Sequence, residues 1–334
     1  MSEPGTGIEM SGRTRVLLIV QMFVSMGMLV WIFQRVRIGE KWEQLRGEMD
    51  VGWFVVALAV AGVGIWLESV RWGIIMRMQR IELPWKTVYQ ISLSSTFFNL
   101  IVPGGMDAAR IAGLIRRAGE NKTGAALSVA MDRLCGLAGI FTMTCIFTFP
   151  RIGMFAGTGV AQGLLILLMV FFASITGFVL LVNWLGRMKP KYLWKVPERL
   201  RHRLRRFWIS VELFRRAGIR FFWAILVSIG VYACYFLVFG ISAVALSVGI
   251  SIWDVLMVMP LIDMVAGLPI SFAGLGVREM TFEGVMSGMF EIPAGTAVFI
   301  SLGGFLCTTF WNLLGGCVFL CSFIKNWSTS YRKN

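Results

Sequence analysis

Charged residues and histidines are scarce in this chain. Only 15% of the 334 residues are charged and one is a histidine, whereas 57% are hydrophobic. A soluble domain is typically about 45–50% apolar and about 25% charged. The composition therefore excludes a soluble single domain, a disordered chain and a disulfide scaffold, and it argues against a histidine-based metal or catalytic site. It predicts a membrane protein.

The motifs of several enzyme classes are also missing. The sequence contains no G-x-x-x-x-G-K-[ST], H-E-x-x-H or G-x-S-x-G, so it predicts no ATPase, protease or hydrolase and no cofactor or metal. The net charge of +14 comes without a nucleic-acid-binding pattern. In a membrane protein such basic residues collect in cytoplasmic loops and face anionic lipid headgroups.

Hydropathy predicts an all-α polytopic membrane protein with six transmembrane helices and two re-entrant helical hairpins. An apolar run of about 17–25 residues is long enough to cross a bilayer as a helix. The predicted spans are Val16–Phe33, Val51–Met78, Thr123–Phe149, Ala161–Gly186, Phe221–Leu246 and Thr296–Ile324. The first is too long for a signal peptide and lacks a cleavage site.

The two re-entrant hairpins are predicted from apolar stretches that make poor spans. Thr87–Val102 has only 16 residues and stops at Pro103-Gly104-Gly105. Ser251–Pro269 is long enough but contains Asp254 and Asp263, and the charged segment after it is a poor span. Each stretch is therefore expected to be the first limb of a hairpin that enters the membrane and returns.

Loop charges predict the orientation. Residues 187–220 hold twelve Lys and Arg against two Glu, which places this loop and both termini in the cytoplasm. The chain is then one membrane domain, with a first half at 1–186, a cytoplasmic loop at 187–220 and a second half at 221–334. Apolar residues from Leu200 to Phe214 recur at helical spacing, predicting an amphipathic basic helix that contacts anionic phospholipids.

The two hairpins also suggest an inverted repeat. Each break has a proline, then glycines, then an arginine, and 19 residues separate Gly105 from Gly124 and Gly276 from Gly295. Secondary transporters are built from such halves; two unrelated Pro/Gly loops are the alternative. Two further glycine pairs, Gly303-Gly304 and Gly315-Gly316, allow close packing either within the chain or in a homo-oligomer.

Ionisable residues at membrane depth mark the candidate site. Asp132 and Arg133 lie nine residues into a predicted span and point about 100° apart on a helix, so each needs a partner from another segment. The expected partners come from the hairpins: Asp107, Arg110, Arg278 and Glu279. An ion-pair network that only sets helix register is the alternative interpretation.

The functional interpretation is a polar cavity that binds a phosphate. Arg110, Arg133 and Arg278 would hold it, because the guanidinium fork binds phosphate oxygens bidentately. Asp107, Asp132 and Glu279 would balance these charges when the cavity is empty. Helix N-termini near Asp107 and Val277 would point their positive ends into the cavity. The glycines permit positive φ or close approach at the breaks: Gly104, Gly105, Gly274 and Gly276.

Two segments carry a family resemblance. PGGMDAARIAGLIRRAGENKTGAALSVAMDRLCGL (103–137) and LPISFAGLGVREMTFEGVM (268–286) resemble the signatures of the lysylphosphatidylglycerol synthase transmembrane-region family, also called flippase-like. The family's synthases carry a soluble aminoacyltransferase domain after the membrane part, and this sequence ends ten residues past its last predicted span. The resemblance implies the lipid-translocating part alone, in the cytoplasmic (inner) membrane of a prokaryote.

Three functions stay open at this point. The first is a translocase, or flippase, for an anionic or phosphate-bearing lipid, either a phospholipid or one linked to polyprenyl phosphate. The second is an integral-membrane transferase acting on a lipid headgroup. The third is an accessory subunit that partners a lipid-linked glycosyltransferase. Whether the chain performs any chemistry does not follow from its residues.

Overall fold

The computed structural model describes residues 12–36, 49–102, 104–119, 122–155, 218–268 and 274–331, with isolated residues between these ranges. Over these residues the chain is helical and contains no strand. These ranges contain nine α-helices: α1 Gly12–Val36, α2 Val51–Met78, α3 Trp85–Asn99, α4 Gly105–Ala118, α5 Lys122–Met143, α6 Ile219–Ala245, α7 Ile252–Ala266, α8 Val277–Phe290 and α9 Ala294–Tyr331. A π-helical turn (Thr144–Thr148) and a 3-10 segment (Phe149–Phe155) prolong α5.

Four helices are long and apolar enough to cross a membrane: Val51–Met78, Thr123–Met154, Ile219–Ala245 and Ala294–Ser322. They agree with four predicted spans. The first predicted span, Val16–Phe33, lies within α1, which has 25 residues. The predicted span Ala161–Gly186 and the amphipathic helix of loop 187–220 lie outside the described residues. The chain is therefore a multi-pass membrane protein.

The helices follow one order of lengths twice. A long helix is followed by two short ones and another long one: α2 to α5 have 28, 15, 14 and 22 residues, and α6 to α9 have 27, 15, 14 and 38. At 1.5 Å per residue, a helix of 14 or 15 residues is roughly 22 Å long. That is less than the hydrocarbon thickness of about 30 Å, so none of the four short helices is long enough to cross the membrane by itself.

The two halves meet along α2 and α6. Ala57 and Ala61 of α2 are fully buried against Val238 and Ile241 of α6. Further along, a Cβ placed on Gly64 would lie 3.2 Å from the ring of Tyr235. Small residues on α2 thus bring the helix backbones close together, as is common where helices pack in a membrane. This contact positions α2 polar residues beside α6.

Helix α9 uses both of its glycine pairs within the chain. Gly303 faces Phe54 and Ser242, and Gly304 faces Phe239, whose ring would be 2.5 Å from an added Cβ. At the second pair, further along α9, a Cβ on Gly315 would overlap the Leu93 carbonyl of α3, and a Cβ on Gly316 would contact the Phe97 ring. Of the two alternatives left by the sequence, packing within the chain is the one observed.

We expect Gly315→Ala to destabilise the protein although alanine is the better helix former. An Ala Cβ would collide with the Leu93 carbonyl and with Thr96 Oγ1, and backbone atoms cannot rotate away as a side chain can. Overpacking of this kind costs about 1–3 kcal/mol, which thermal unfolding in detergent would report as a lower Tm. Gly284 of α8 has no neighbour within 4 Å of an added Cβ, so Gly284→Ala is the matched control and should be neutral or stabilising. An equal response of the two variants would contradict the close α3–α9 contact.

Candidate functional site

The centre of the first half is a buried network of charged side chains. Arg71 on α2 donates from Nε to Asp132 Oδ1 (2.7 Å) and from Nη2 to Oδ2 (3.0 Å). Arg110 on α4 donates from Nη1 to Asp132 Oδ2 (2.7 Å) and from Nη2 to Glu68 Oε1 (3.1 Å). Tyr235 on α6 donates its hydroxyl to Glu68 Oε2 at 2.9 Å. Four helices are thereby joined through two carboxylates.

The network is electrically balanced. Two arginines face two carboxylates, and Arg110 and Asp132 are 0% and 1% exposed. Burying a charge costs several kcal/mol unless it is paired and hydrogen-bonded. Here every oxygen of the two carboxylates accepts a hydrogen bond, although Arg110 Nε is buried without a partner among the described residues. The Arg110 guanidinium also stacks over the Trp72 ring at 5.0 Å from the ring centre. This arrangement holds the first hairpin against α2 and α5.

A second ion pair joins α4 and α5, the helices that carry Arg110 and Asp132, at a more exposed position. Arg133 Nε lies 3.1 Å from both carboxylate oxygens of Asp107, and Nη2 lies 2.9 Å from Oδ1. The side chains are 51% and 30% exposed. A ligand can therefore reach the charge of Arg133 but not the charge of Arg110.

The sequence correctly predicted that Asp132 and Arg133 would find partners on another segment. The two residues are adjacent and point in different directions, so Asp132 faces the buried Arg110 while Arg133 faces the outer Asp107. Asp107 and Arg110 are three residues apart on α4, which brings them near each other along one side of that helix. Two oppositely ordered ion pairs result, one buried and one accessible.

In the second half, Arg278 has a loose partner. Its Nη2 lies 3.9 Å from Asp263 Oδ1 on α7. The guanidinium lies over the rings of Phe239 and Phe305, at 5.9 Å and 5.7 Å from their centres. Arg278 Nε is buried and has no hydrogen-bond partner among the described residues. This arginine is held mainly by aromatic rings, and part of its donor capacity is unused.

Glu279, the neighbour of Arg278, has a structural contact that the sequence did not predict. Its carboxylate accepts a hydrogen bond from the Gly276 backbone N–H (2.6 Å) and another from Ser301 on α9 (3.2 Å). A carboxylate that accepts a hydrogen bond from the residue before a helix satisfies an otherwise unpaired N–H. Its negative charge also interacts favourably with the positive end of the helix dipole. Glu279 is fully buried and caps α8.

The glycines at the breaks have the two predicted uses. Gly104, Gly274 and Gly276 adopt positive φ values of 74°, 76° and 83°, a conformation that other residues adopt at a cost. Gly105 instead allows close approach, because a Cβ there would overlap the Phe98 carbonyl of α3. A Cβ on Gly276 would lie 2.6 Å from Met28 of α1, so α1 packs on the second break. Helices α4 and α8 begin at Gly105 and Val277, close to the helix starts predicted near Asp107 and Val277.

Tyr232 of α6 places its hydroxyl close to Arg71, at the edge of the buried network. A Cβ on Gly136 would be 3.2 Å from the Tyr232 hydroxyl and 3.4 Å from Arg71 Nη1.

The three predicted arginines do not share one carboxylate. The nearest acids of Arg110, Arg133 and Arg278 are Asp132, Asp107 and Asp263, respectively.

Sequence reasoning did not assign a role to several residues of the site: Glu68, Arg71, Tyr232, Tyr235 and Asp263. A signal was available for the first two, because an acid and an arginine three residues apart in an apolar span are costly unless they are used. The two tyrosines carry no such signal, since aromatic residues are common in spans. Within the described part of the chain, no group of three or more His, Cys, Asp or Glu side chains is placed to hold a metal ion.

Comparison with known proteins identifies a family. The model of the family described as "Lysylphosphatidylglycerol synthase TM region" matches residues 18–316. No curated protein and no solved structure matches the chain. The matched region contains both hairpins, the buried network and all three predicted arginines. The chain therefore belongs to the lysylphosphatidylglycerol synthase transmembrane-region family.

Proposed function

We propose that the protein is a lipid translocase, or flippase, that moves an anionic or phosphate-bearing lipid across the cytoplasmic membrane. The lipid is a phospholipid or one linked to polyprenyl phosphate. Family membership supports a role in membrane lipid biology. The observation that carries the proposal is that each half presents one arginine that is only partly engaged: Arg133 is half-exposed and Arg278 has its nearest carboxylate oxygen at 3.9 Å.

These two arginines would bind the headgroup phosphate. A phosphate oxygen competes well for a guanidinium because the hydrogen bonds are charge-assisted and bidentate. At Arg133 it would displace Asp107, an exchange favoured by the exposed position of this pair. At Arg278 it would use the unpaired Nε and the group now weakly paired with Asp263. The acids would then neutralise the arginines again after the headgroup leaves.

Arg110 and Asp132 have a different role in this proposal. Both are buried in the balanced network, so they would hold the first hairpin in place rather than contact the lipid. Glu279 would hold the start of α8 in the same supporting sense. Of the predicted site residues, Arg133, Arg278 and Asp107 would touch the headgroup, with Asp263 added in the second half.

A path between the two arginines would pass α6. The hydroxyl of Tyr232 on this helix lies close to Gly136 and Arg71 and would assist a headgroup that moves from one half to the other. The glycine breaks of both hairpins would let the headgroup come close to the backbone, and the acyl or prenyl tails would stay in the bilayer. No nucleotide is needed for such a path, and the direction of net transport would follow the lipid gradient or a coupled ion.

The architecture that suits this path is an inverted repeat of two re-entrant hairpins, with both termini and loop 187–220 in the cytoplasm. The repeated order of helix lengths supports it. A repeated contact also supports it. In each half, a buried charged residue of the second short helix forms a hydrogen bond with a side chain 22 residues later, on the next long helix. The two pairs are Arg110–Asp132 and Glu279–Ser301. Discontinuous helices from two such halves form the central site in secondary transporters.

A reconstituted translocation assay tests the function. The purified full chain is placed in proteoliposomes that contain a trace of fluorescent phosphatidylglycerol, and dithionite bleaches only the outer leaflet. The proposal expects the bleached fraction to rise beyond the outer-leaflet half in proteoliposomes and to stop at that half in protein-free vesicles. Bleaching that stops at half with protein present, for phosphatidylglycerol and for a polyprenyl-phosphate lipid alike, would overturn it. So would a chemically altered lipid in the extract, because that product indicates a transferase.

A further inference from the structure

A concave site lies outside the charged network, where the end of α2 meets the start of α3. Its volume is about 310 Å³, which is within the range of small-molecule sites. Its walls are Trp66, Val70, Met76, Trp85 and Val88. This face of α2 is separate from the one that carries Glu68 and Arg71, which point into the protein.

A glycine provides the floor of this α2–α3 pocket. Gly73 is buried, and a Cβ added there would make ordinary contacts with the Trp85 ring at 3.5 Å and with Val88 at 3.8 Å. An alanine would therefore fit, whereas a longer side chain would extend into the pocket. The concavity depends on a small residue at this one position.

The rim of the pocket is aromatic and basic. Trp66 and Trp85 are 47% and 40% exposed and meet edge to face, with ring centres 6.4 Å apart. Arg77 lines the mouth, is exposed, and forms no ion pair with any described residue. The adjacent loop and first turn of α3 add Arg80, Lys86 and Glu82, so this end of the molecule carries an excess of positive charge.

The basic end of the pocket is at the depth expected for the membrane interface. The 28 residues of α2 extend roughly 42 Å, so its last turns, which carry Arg77, reach beyond a hydrocarbon core of about 30 Å into the headgroup region. Arginine favours this depth, whereas Trp66 lies roughly 16 Å further back along the same helix, where an acyl chain would lie. A ligand held here would have an apolar part in the pocket and a negative group at Arg77.

We infer that this α2–α3 pocket binds an anionic phospholipid of the leaflet that surrounds the end of α2. Part of one acyl chain would occupy the space above Gly73 between the two tryptophans, and the phosphate would accept hydrogen bonds from Arg77. The charge of the rim favours an anionic headgroup over a zwitterionic one. The inference does not rest on the proposed translocation, because no residue of the pocket belongs to the charged network or to the Arg278 site.

Native mass spectrometry of the full chain in detergent tests the site, with dioleoylphosphatidylglycerol and dioleoylphosphatidylcholine titrated separately. We expect phosphatidylglycerol to bind the unmodified protein more tightly than phosphatidylcholine. Arg77→Gln should weaken phosphatidylglycerol binding about three- to tenfold, the loss of one charge-assisted contact, and leave phosphatidylcholine binding unchanged. Arg117→Gln, at the exposed end of α4, is the matched control, because it removes the same charge away from the pocket.

Filling the pocket gives an independent arm. Gly73→Leu should weaken the binding of both lipids, while Gly73→Ala should resemble the unmodified protein. Repeating the Arg77→Gln titration in an Arg133→Gln/Arg278→Gln background separates this pocket from the translocation site, and the same loss is expected there. Equal losses for Arg77→Gln and Arg117→Gln, or unchanged binding in Gly73→Leu, would overturn the inference.

Discussion

Replacing Asp132 by asparagine is expected to destabilise the protein by about 3–5 kcal/mol, the usual cost of removing one partner from a buried ion pair. The asparagine keeps the shape of the side chain but leaves Arg71 and Arg110 buried with only Glu68 to balance them. Both arginines bond Asp132 directly, so one substitution removes two charged contacts. Thermal unfolding and the monodisperse fraction after detergent extraction would measure the loss.

The control for this experiment is the neighbouring ion pair of α4 and α5. Asp107→Asn removes the same charge from a pair whose side chains are 51% and 30% exposed. Exposed pairs contribute about 0–1 kcal/mol, so this variant should unfold close to the unmodified protein. If Asp132→Asn were as mild as Asp107→Asn, the buried network would not be what holds the first hairpin in place.

Arg133→Gln and Arg278→Gln are expected to lower the rate of lipid translocation at least tenfold each, which corresponds to about 1.4 kcal/mol of lost stabilisation per site. Glutamine keeps a hydrogen-bond donor but lacks the charge and the fork that a phosphate requires. The rate of dithionite bleaching in proteoliposomes measures the effect. Both variants should remain folded, because Arg133 is half-exposed and Arg278 has only a distant acidic partner.

Arg151→Gln is the matched control for the translocation measurement. Arg151 pairs with Asp254 at 2.7 Å, and the side chains are 46% and 24% exposed, close to the values for Arg133 and Asp107. It lies in the segment after α5, outside the proposed path. Translocation that persists in the Arg133→Gln/Arg278→Gln double variant, or that falls equally in Arg151→Gln, would remove these arginines from the mechanism.

Much of the fold could be read from hydropathy because a membrane span is a local property. Val51–Met78 has the same bounds in the sequence prediction and in the structure. Helix α8 begins at Val277, directly after the glycine break that ends at Gly276. The last helix of each half was also found, although α5 continues to Phe155 through a π turn and a 3-10 segment. Apolar run length, glycine and proline determine these features without reference to the rest of the chain.

The partners of the site residues were only partly predictable. The sequence showed that Asp132 and Arg133 needed partners, because adjacent helical residues point about 100° apart, and it named Arg110 and Asp107 among the candidates. It could not show that Arg71 would share Asp132, or that Tyr235 would bond Glu68. Those contacts depend on how α2 and α6 are rotated about their axes, and that rotation is set by the close packing at Ala57, Ala61 and Gly64.

Burial separated three arginines that look alike in sequence. Each follows a glycine break or lies beside an acid, and each was predicted to hold phosphate. The structure buries Arg110 between two carboxylates, leaves Arg133 half-exposed and surrounds Arg278 with phenylalanine rings. The sequence by itself predicted charge at membrane depth in both halves, and Asp132 and Arg133 do lie within the span-length helix Thr123–Met154. Only the tertiary structure decided which charges are neutralised, because neutralisation requires atoms from helices that are distant in the chain to meet within hydrogen-bond distance.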